Sequence, residues 1–316
     1  MSTRTETAFD SHGTTCHAWY FHGGDSPFAG ERGRPVVVMA HGFGGTKDSG
    51  LEPFARRLAA AGLAVFAFDY RGFGSSKGQP RQRVSIRGQV EDYRAAIAAA
   101  GRAPGADPAR IVLWGVSQSG GHALTLAAER ADVCAVIALV PMVSGLAAGR
   151  HAFAQRGAAP MAAATLAGLR SAVATRLGAA PTMMPLVGRP GERAALTAPG
   201  YYESYRALAG PTWRNEVDAA VGLELGGYRA DRHADRITAP VLVQIADFDR
   251  AAPAQAAAKA AFAARAEVRH YPCDHFDVFA GNPWFDPVVD HQLRFLTRKL
   301  GAAGQPAAPA TAEAAE

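Results

Sequence analysis

Short apolar runs along this chain alternate with longer segments in which apolar residues recur every three or four positions. The runs predict strands buried on both faces, and the recurrences predict helices. Residues 5–21 alternate around Ser11-His12-Gly13, which predicts a hairpin. A connection rich in Gly, Pro and charge follows at 25–34, then a buried strand at 35–40. The next helix carries Leu51, Phe54 and Leu58 on one face and closes at Gly62. Strands are predicted at 63–68, 111–114 and 133–140, with a helix over 84–100 and another from Gly120 to Arg130. This alternation predicts an α/β fold: a doubly wound, mostly parallel sheet with helices on both faces.

The rhythm stops at Ser144. Residues 144–230 are rich in Ala and Gly and are punctuated by Pro160, Pro181, Pro185, Pro190, Pro199 and Pro211. They predict an inserted, mostly helical cap, with helices over 161–177 and 201–209 and no strong strand. Alternation resumes with a strand at 241–246, a helix at 254–264, a strand at 267–271 and a helix at 288–300. The expected organisation is a first part of the core at 1–143, the cap at 144–230, a second part of the core at 231–300, and a disordered Ala/Pro/Glu tail at 301–316.

Composition narrows the class. The 316 residues are 48% hydrophobic and 19% charged, as expected of one soluble domain or one domain with an insertion. The formal charge is +5, but the arginines are scattered and form no basic block, so no nucleic-acid partner is expected. Cys16, Cys134 and Cys273 form neither a disulfide framework nor a zinc motif, which predicts a reducing compartment. The N-terminal residues lack an apolar leader and no run is long enough to span a bilayer, so a cytoplasmic protein without a membrane partner is expected. The oligomeric state is left open, with a homodimer among the candidates. His12, His17 and His22 are five apart and fall on alternate faces of a strand, a poor metal site. No Gly-rich loop continues as a P-loop or a dinucleotide fingerprint, so no cofactor is expected.

The chemistry gathers after the strands. Gly115-Val116-Ser117-Gln118-Ser119 links a strand to a helix, the layout of a nucleophile elbow. Ser119 occupies the position of the usual second Gly, so two registers compete, with Ser117 or Ser119 as nucleophile. Ser117 is favoured, because it follows the strand at the right interval with Gly115 two residues before it. Ser119 is then expected to matter only through its size. A Ser hydroxyl needs a base, and the base needs an orienting acid. Asp249, deeper in its loop than Asp247, is the candidate acid, and His275 is the candidate base; His270 and His291 read as structural or solvated. The backbone N–H groups of Phe43 and Gln118 are the candidate oxyanion donors. Asp69 and Arg71 are expected to hold their loop by a salt bridge or hydrogen bonds.

Together, H-G-F-G-G, D-Y-R-G-F-G-S-S, W-G-V-S-Q-S-G-G-H, A-D-F-D and D-H-F-D-V-F resemble the α/β-hydrolase superfamily in order and placement. The elbow is most similar to G-x-S-x-S-G-G-H serine hydrolases of the dienelactone-hydrolase-like and acyl-esterase-like kind. Ala246 stands where that family often has Gly. The resemblance covers almost all of 5–300 except the cap. It implies Ser117, Asp249 and His275 as a triad that needs no cofactor and cleaves a carboxylic ester or thioester of a small, apolar substrate. A peptidase, a C–C bond hydrolase, an acyltransferase or perhydrolase, and a non-catalytic accessory protein are the alternatives. Met142 and the cap residues Phe153, Met161, Met183, Met184, Tyr201, Tyr202, Tyr205 and Trp213 are candidates to line the substrate pocket, with Met142, Tyr205 and Trp213 the chosen three.

Overall fold

A computed structural model describes residues 3–24 and 28–301. Eight strands form one sheet: β1 (Arg4–Ser11), β2 (Thr14–Phe21), β3 (Arg34–Ala40), β4 (Ala64–Phe68), β5 (Ala106–Val116) and β6 (Val133–Leu139), with β9 (Val241–Ala246) and β10 (Glu267–Tyr271). The two-residue strands β7 (Met183–Met184) and β8 (Val217–Asp218) pair with each other outside it. The helices are α1 (Leu51–Ala60), α2 (Ile86–Ala100), α3 (Gln118–Glu129), α4 (Gly145–Arg156), α5 (Ala158–Arg176), α6 (Tyr201–Leu208), α7 (Val221–Gly226), α8 (Ala254–Ala263) and α9 (Phe285–Leu300), with a 3-10 segment at Ala230–Arg236.

The sheet order is β1-β2-β4-β3-β5-β6-β9-β10. The β1–β2 hairpin and the β2–β4 pair are antiparallel, and every other pairing is parallel. Val36, Val37, Val38 and Met39 are fully buried in β3, which explains why that strand reads as a continuous apolar run. A buried polar chain fastens α9 to the sheet. Trp114 Nε1 donates to Gln292, Gln292 to Gln244, and Gln244 to the Tyr271 hydroxyl, at 3.0, 2.7 and 2.7 Å. Each member would cost free energy if buried alone, so the chain is conditional on the others.

Strand order fixes where a site can form. The chain leaves β3 towards β4 on one side, while β5, on the other side of β3, leads away to β6. The carboxyl ends of β3 and β5 therefore flank a crevice, the usual place for a ligand in an open α/β sheet. Residues 41–45 follow β3 there, and Ser117 follows β5.

Several boundaries differ from the sequence reading. Ser85 caps α2, its hydroxyl accepting from Gly88 N at 3.3 Å, so that helix begins at Ile86 and not at 84. The last helix begins three residues earlier than the expected 288, at Phe285. Helices α4 and α7 were not anticipated, because neither carries an apolar stripe facing the core. Apart from Gly301, the tail expected at 301–316 lies outside the described residues.

Candidate active site

Ser117 sits at the turn between β5 and α3 with φ 57° and ψ −121°, a strained conformation for a residue with a side chain. The turn is braced by the end of the neighbouring strand. Ser117 N donates to Leu139 O at 2.8 Å, and Ser117 O accepts from Met142 N at 2.9 Å. The strand and helix pass so closely that a Cβ on Gly115 would lie 2.0 Å from Ser119 O, and one on Gly121 would lie 2.3 Å from Met142 O. Glycine is required at both positions by this contact.

His275 follows β10, and its Nδ1 lies 2.7 Å from Asp249 Oδ2. Both side chains are nearly inaccessible to solvent. The other Asp249 oxygen accepts from Ala251 N and Ala252 N at 2.8 and 2.7 Å, which holds the carboxylate in place. Asp247 instead pairs with His270 at 2.6 Å on the open surface. Burial alone would push the His275 imidazole towards neutrality. The Asp249 charge, the hydrogen bond to it and the charge of Asp274 outweigh that and raise its pKa above the ordinary value. Asp274 accepts from His275 N, Tyr201 Oη and Arg250 Nε at 2.8, 2.8 and 2.7 Å. Burial opposes its ionisation, but these donors and Arg250 N hold its pKa below the usual carboxylate range.

Ser117 and His275 face one cavity of about 310 Å³, together with Phe43, Met142, Tyr201 and Tyr205. No hydrogen bond joins the Ser117 hydroxyl to the His275 ring; they meet across the cavity. Phe43 lies in the loop after β3. The preceding Gly42 comes so close that a Cβ there would be 2.9 Å from Ser117 Cβ. Gln118 is the first residue of α3, so its N–H has no partner within the helix. Both backbone groups chosen from sequence thus border the Ser117 turn.

Two hydroxyls hold the 41–45 loop directly, a third supports one of them, and an ion pair anchors the chain just after it at Lys47. Ser119 donates to His41 O, and its oxygen is 2.7 Å from the Tyr70 hydroxyl. The expectation that Ser119 acts only through its size is therefore incorrect: its hydroxyl ties the helix to the loop. From the cap side, Tyr205 donates to Phe43 O at 2.8 Å. Beneath the loop, Asp69 accepts from Lys47 Nζ at 2.7 Å and from Lys47 N at 2.6 Å, in full burial. As expected, Asp69 and Arg71 hold the loop after β4, Asp69 by accepting from Ser75 N at 3.0 Å and Arg71 by donating from Nε to Asp92 at 2.7 Å. Lys47 could not be paired from sequence, because 22 residues separate it from Asp69.

Other expectations are refined. Met142, Met161, Met184, Tyr201 and Tyr205 line the cavity. Trp213 does not; it stacks behind Tyr205 with ring centroids 5.2 Å apart. Phe153, Met183 and Tyr202 are also absent from the lining. His122, the last residue of the elbow motif, is held between Tyr228 Oη and Gln89 Oε1 at 2.9 and 3.2 Å. Burial depresses its pKa to about 3, so it is a neutral structural group. Among the described residues no cluster of three His, Cys, Asp or Glu could hold a metal ion.

A family model described as "Serine aminopeptidase, S33" matches residues 31–276. This chain belongs to that family of α/β-hydrolases. It is an enzyme of the hydrolase class, and the fold, the elbow turn and the strand order described above agree with that membership. The hydrolase is 38% identical over 298 residues to the quorum-quenching protein AidA of Acinetobacter baumannii, covering 93% of this chain and 94% of that protein. A 116-residue stretch is 39% identical to the thiohydrolase aneE of Aspergillus aculeatus, covering 37% of this chain and 36% of that one. Among solved structures, the α/β hydrolase GrgF from Penicillium sp. superposes with a TM-score of 0.78 at 21% identity, covering 95% of this chain and all of the other.

Proposed function

We propose that this hydrolase cleaves a carboxylic ester or thioester of a small, apolar substrate through an acyl-enzyme on Ser117. The observation that carries the reading is the shared cavity: Ser117 on its strained turn faces His275, whose Nδ1 is bound by the buried Asp249 at 2.7 Å. Ser117 Oγ attacks the carbonyl carbon as His275 Nε2 takes its proton. The developing oxyanion is met by the Phe43 and Gln118 N–H groups, and the Asp249 carboxylate stabilises the imidazolium. When the tetrahedral intermediate collapses, the bond to the leaving oxygen or sulfur breaks and His275 returns the proton to it. Water, activated by the same His275, then releases the acid. Apolar walls, with Met142 beside the nucleophile and Met184 also in the lining, favour an aliphatic or aromatic body on the substrate. Similarity to a relative named as a thiohydrolase supports ester or thioester chemistry. Three free cysteines are in keeping with a reducing, cytoplasmic setting.

Fluorophosphonate labelling tests the nucleophile. Peptide mapping should place the adduct on Ser117, and Ser117→Ala should abolish both labelling and hydrolysis; an adduct on Ser119 would overturn the register. A panel of esters and thioesters of graded acyl length would define the substrate. A second reading, transfer of the acyl group to an alcohol or amine in place of water, is favoured by relatives named polyketide transferases, which match over less than two thirds of this chain. Partition of the acyl group between water and added alcohol separates the two.

A further inference from the structure

Helices α4 and α5 carry their side chains in an unusual sense. Many of the residues that line the cavity are small, Gly145, Ala148, Gly149 and Ala152 on α4 and Ala164 and Gly168 on α5, beside the polar His151, Gln155, Arg156 and Thr165 and the single large apolar Met161. The large apolar residues point to solvent instead. Leu146, Phe153, Leu166, Leu169, Val173 and the adjoining Leu177 are between 48% and 80% exposed. The last four follow one another at intervals of three and four, so they form a single stripe along α5. Most of the other large apolar residues of the described chain are buried in the core beneath. A patch of this kind marks a surface that meets something else.

Charge says what it meets. From Val133 to Gly191 the sequence contains no Asp or Glu. Arg150, Arg170 and Arg176 stand exposed among the apolar side chains and, among the described residues, have no ion-pair partner. The face therefore offers apolar side chains and unpaired guanidinium groups, with no carboxylate. A second copy docked through the same face would bring these arginines together with nothing in the segment to answer them. A folded protein partner would need directional hydrogen bonds and a matching relief, whereas the large exposed groups here, apart from the arginines, are apolar. A phospholipid surface with negative headgroups asks for neither, and takes apolar side chains and arginines side by side.

We propose that the outer face of α4 and α5 docks on an anionic phospholipid surface. No helix of the described residues is long and apolar enough to cross a membrane, so the contact is peripheral. The apolar stripe enters the boundary between headgroups and acyl chains, and the arginines meet the phosphates. This differs from the sequence expectation of no membrane partner, which rested on the lack of a spanning segment. The inner faces of the same two helices line the cavity that holds Ser117, so an apolar ester dissolved in the lipid would meet the enzyme beside its site. That last consequence rests on the proposed ester hydrolysis; the docking does not.

The test is co-sedimentation of the full chain with vesicles of phosphatidylcholine alone and with added phosphatidylglycerol. Binding is expected only to the anionic vesicles, and salt should weaken it. Leu166→Ser with Val173→Ser, and separately Arg170→Glu with Arg176→Glu, should each weaken binding by about tenfold or more. These side chains are exposed and lie outside the cavity lining, so melting temperature and hydrolysis of a short soluble ester should stay at the parent level. Failure to bind anionic vesicles at low salt would overturn the proposal. So would binding that the two variants leave intact. A dimer in light scattering that Leu166→Ser with Val173→Ser turns into a monomer would assign the face to a second copy instead, and capture of an acidic protein in place of vesicles would assign it to that partner. A preparation that binds vesicles but whose Ser117→Ala form still hydrolyses the ester would retain the docking and reject the proposed chemistry.

Discussion

Replacing Ser119 by Ala removes one oxygen from the point where the elbow helix, the loop after β4 and the 41–45 loop meet. That oxygen bonds the Tyr70 hydroxyl at 2.7 Å and donates to His41 O, and all three groups are buried. The substitution leaves a hydroxyl and a carbonyl without their partner in a place that water does not reach. At about 1–3 kcal/mol for a buried polar group left unpaired, the two together should cost about 2–6 kcal/mol. Unfolding entropy for a chain of about 300 residues is roughly 0.6 kcal/mol per kelvin, so the melting temperature should fall by about 3–10 °C. The catalytic effect follows from position: His41 opens the loop that carries the Phe43 N–H, the proposed oxyanion donor, and on that proposal a displaced donor would lose part of its hold on the oxyanion. A fall in kcat of about tenfold with KM within about twofold is expected. Differential scanning calorimetry and steady-state kinetics on one ester give both readouts. Tyr70→Phe is the control, since it spares the Ser119 bond to His41 and should leave kcat nearly unchanged. Ser119→Gly should be worse than Ala by about 1 kcal/mol, because glycine destabilises a helix. If Ser119→Ala melts within about 1 °C of the parent and keeps its kcat, the hydroxyl is not a tether and the reasoning fails.

Asp249→Asn should lower kcat by roughly a thousandfold or more, while Asp247→Asn, on the surface with His270, should be mild; the reverse result would move the acid. Turnover should rise with pH through a midpoint above the ordinary imidazole value of about 6.5, because the base works when deprotonated and Asp249 raises its pKa. Asp249→Asn should move that midpoint down, and a flat profile would exclude a histidine base. The same raised pKa contributes stability that is fully present below about 6.5 and is lost as pH rises through the folded value, which thermal melts across that window can detect. Lys47→Met, which strands the buried Asp69 carboxylate, should cost about 3–5 kcal/mol and lower the melting temperature by several degrees, and an unchanged melt would show the pair to be dispensable. Tyr205→Ala should alter acyl-length preference, whereas Trp213→Ala should act only by loosening Tyr205; equal shifts in both would contradict the stacking.

The α/β alternation, the sheet class and the order of serine, acid and histidine loops were legible in the chain, because each is a local pattern. Fully buried parallel strands must be mostly apolar, as β3 is from Pro35 to Ala40 and as β9 is apart from the hydrogen-bonded Gln244. A turn that forces strand against helix must be flanked by small residues, as Ser117 is by Gly115. The candidate acid was legible only as one of two, since Asp247 and Asp249 differ by a turn of backbone that places one on the surface and the other against His275. What holds the 41–45 loop was not legible at all. Ser119 and Tyr205 reach it, and Asp69 reaches Lys47 just after it, from three separate parts of the chain, and no spacing rule connects a hydroxyl to a carbonyl 78 or 162 residues away. Helix α4 escaped for the converse reason: its inward face is Gly, Ala and the polar His151, Gln155 and Arg156 around a cavity, so it lacks the apolar periodicity that packing against a core imposes. Local composition determines which elements form, because the backbone and near neighbours alone decide it. The partners of buried polar groups and the lining of a void are decided only when distant segments are brought together.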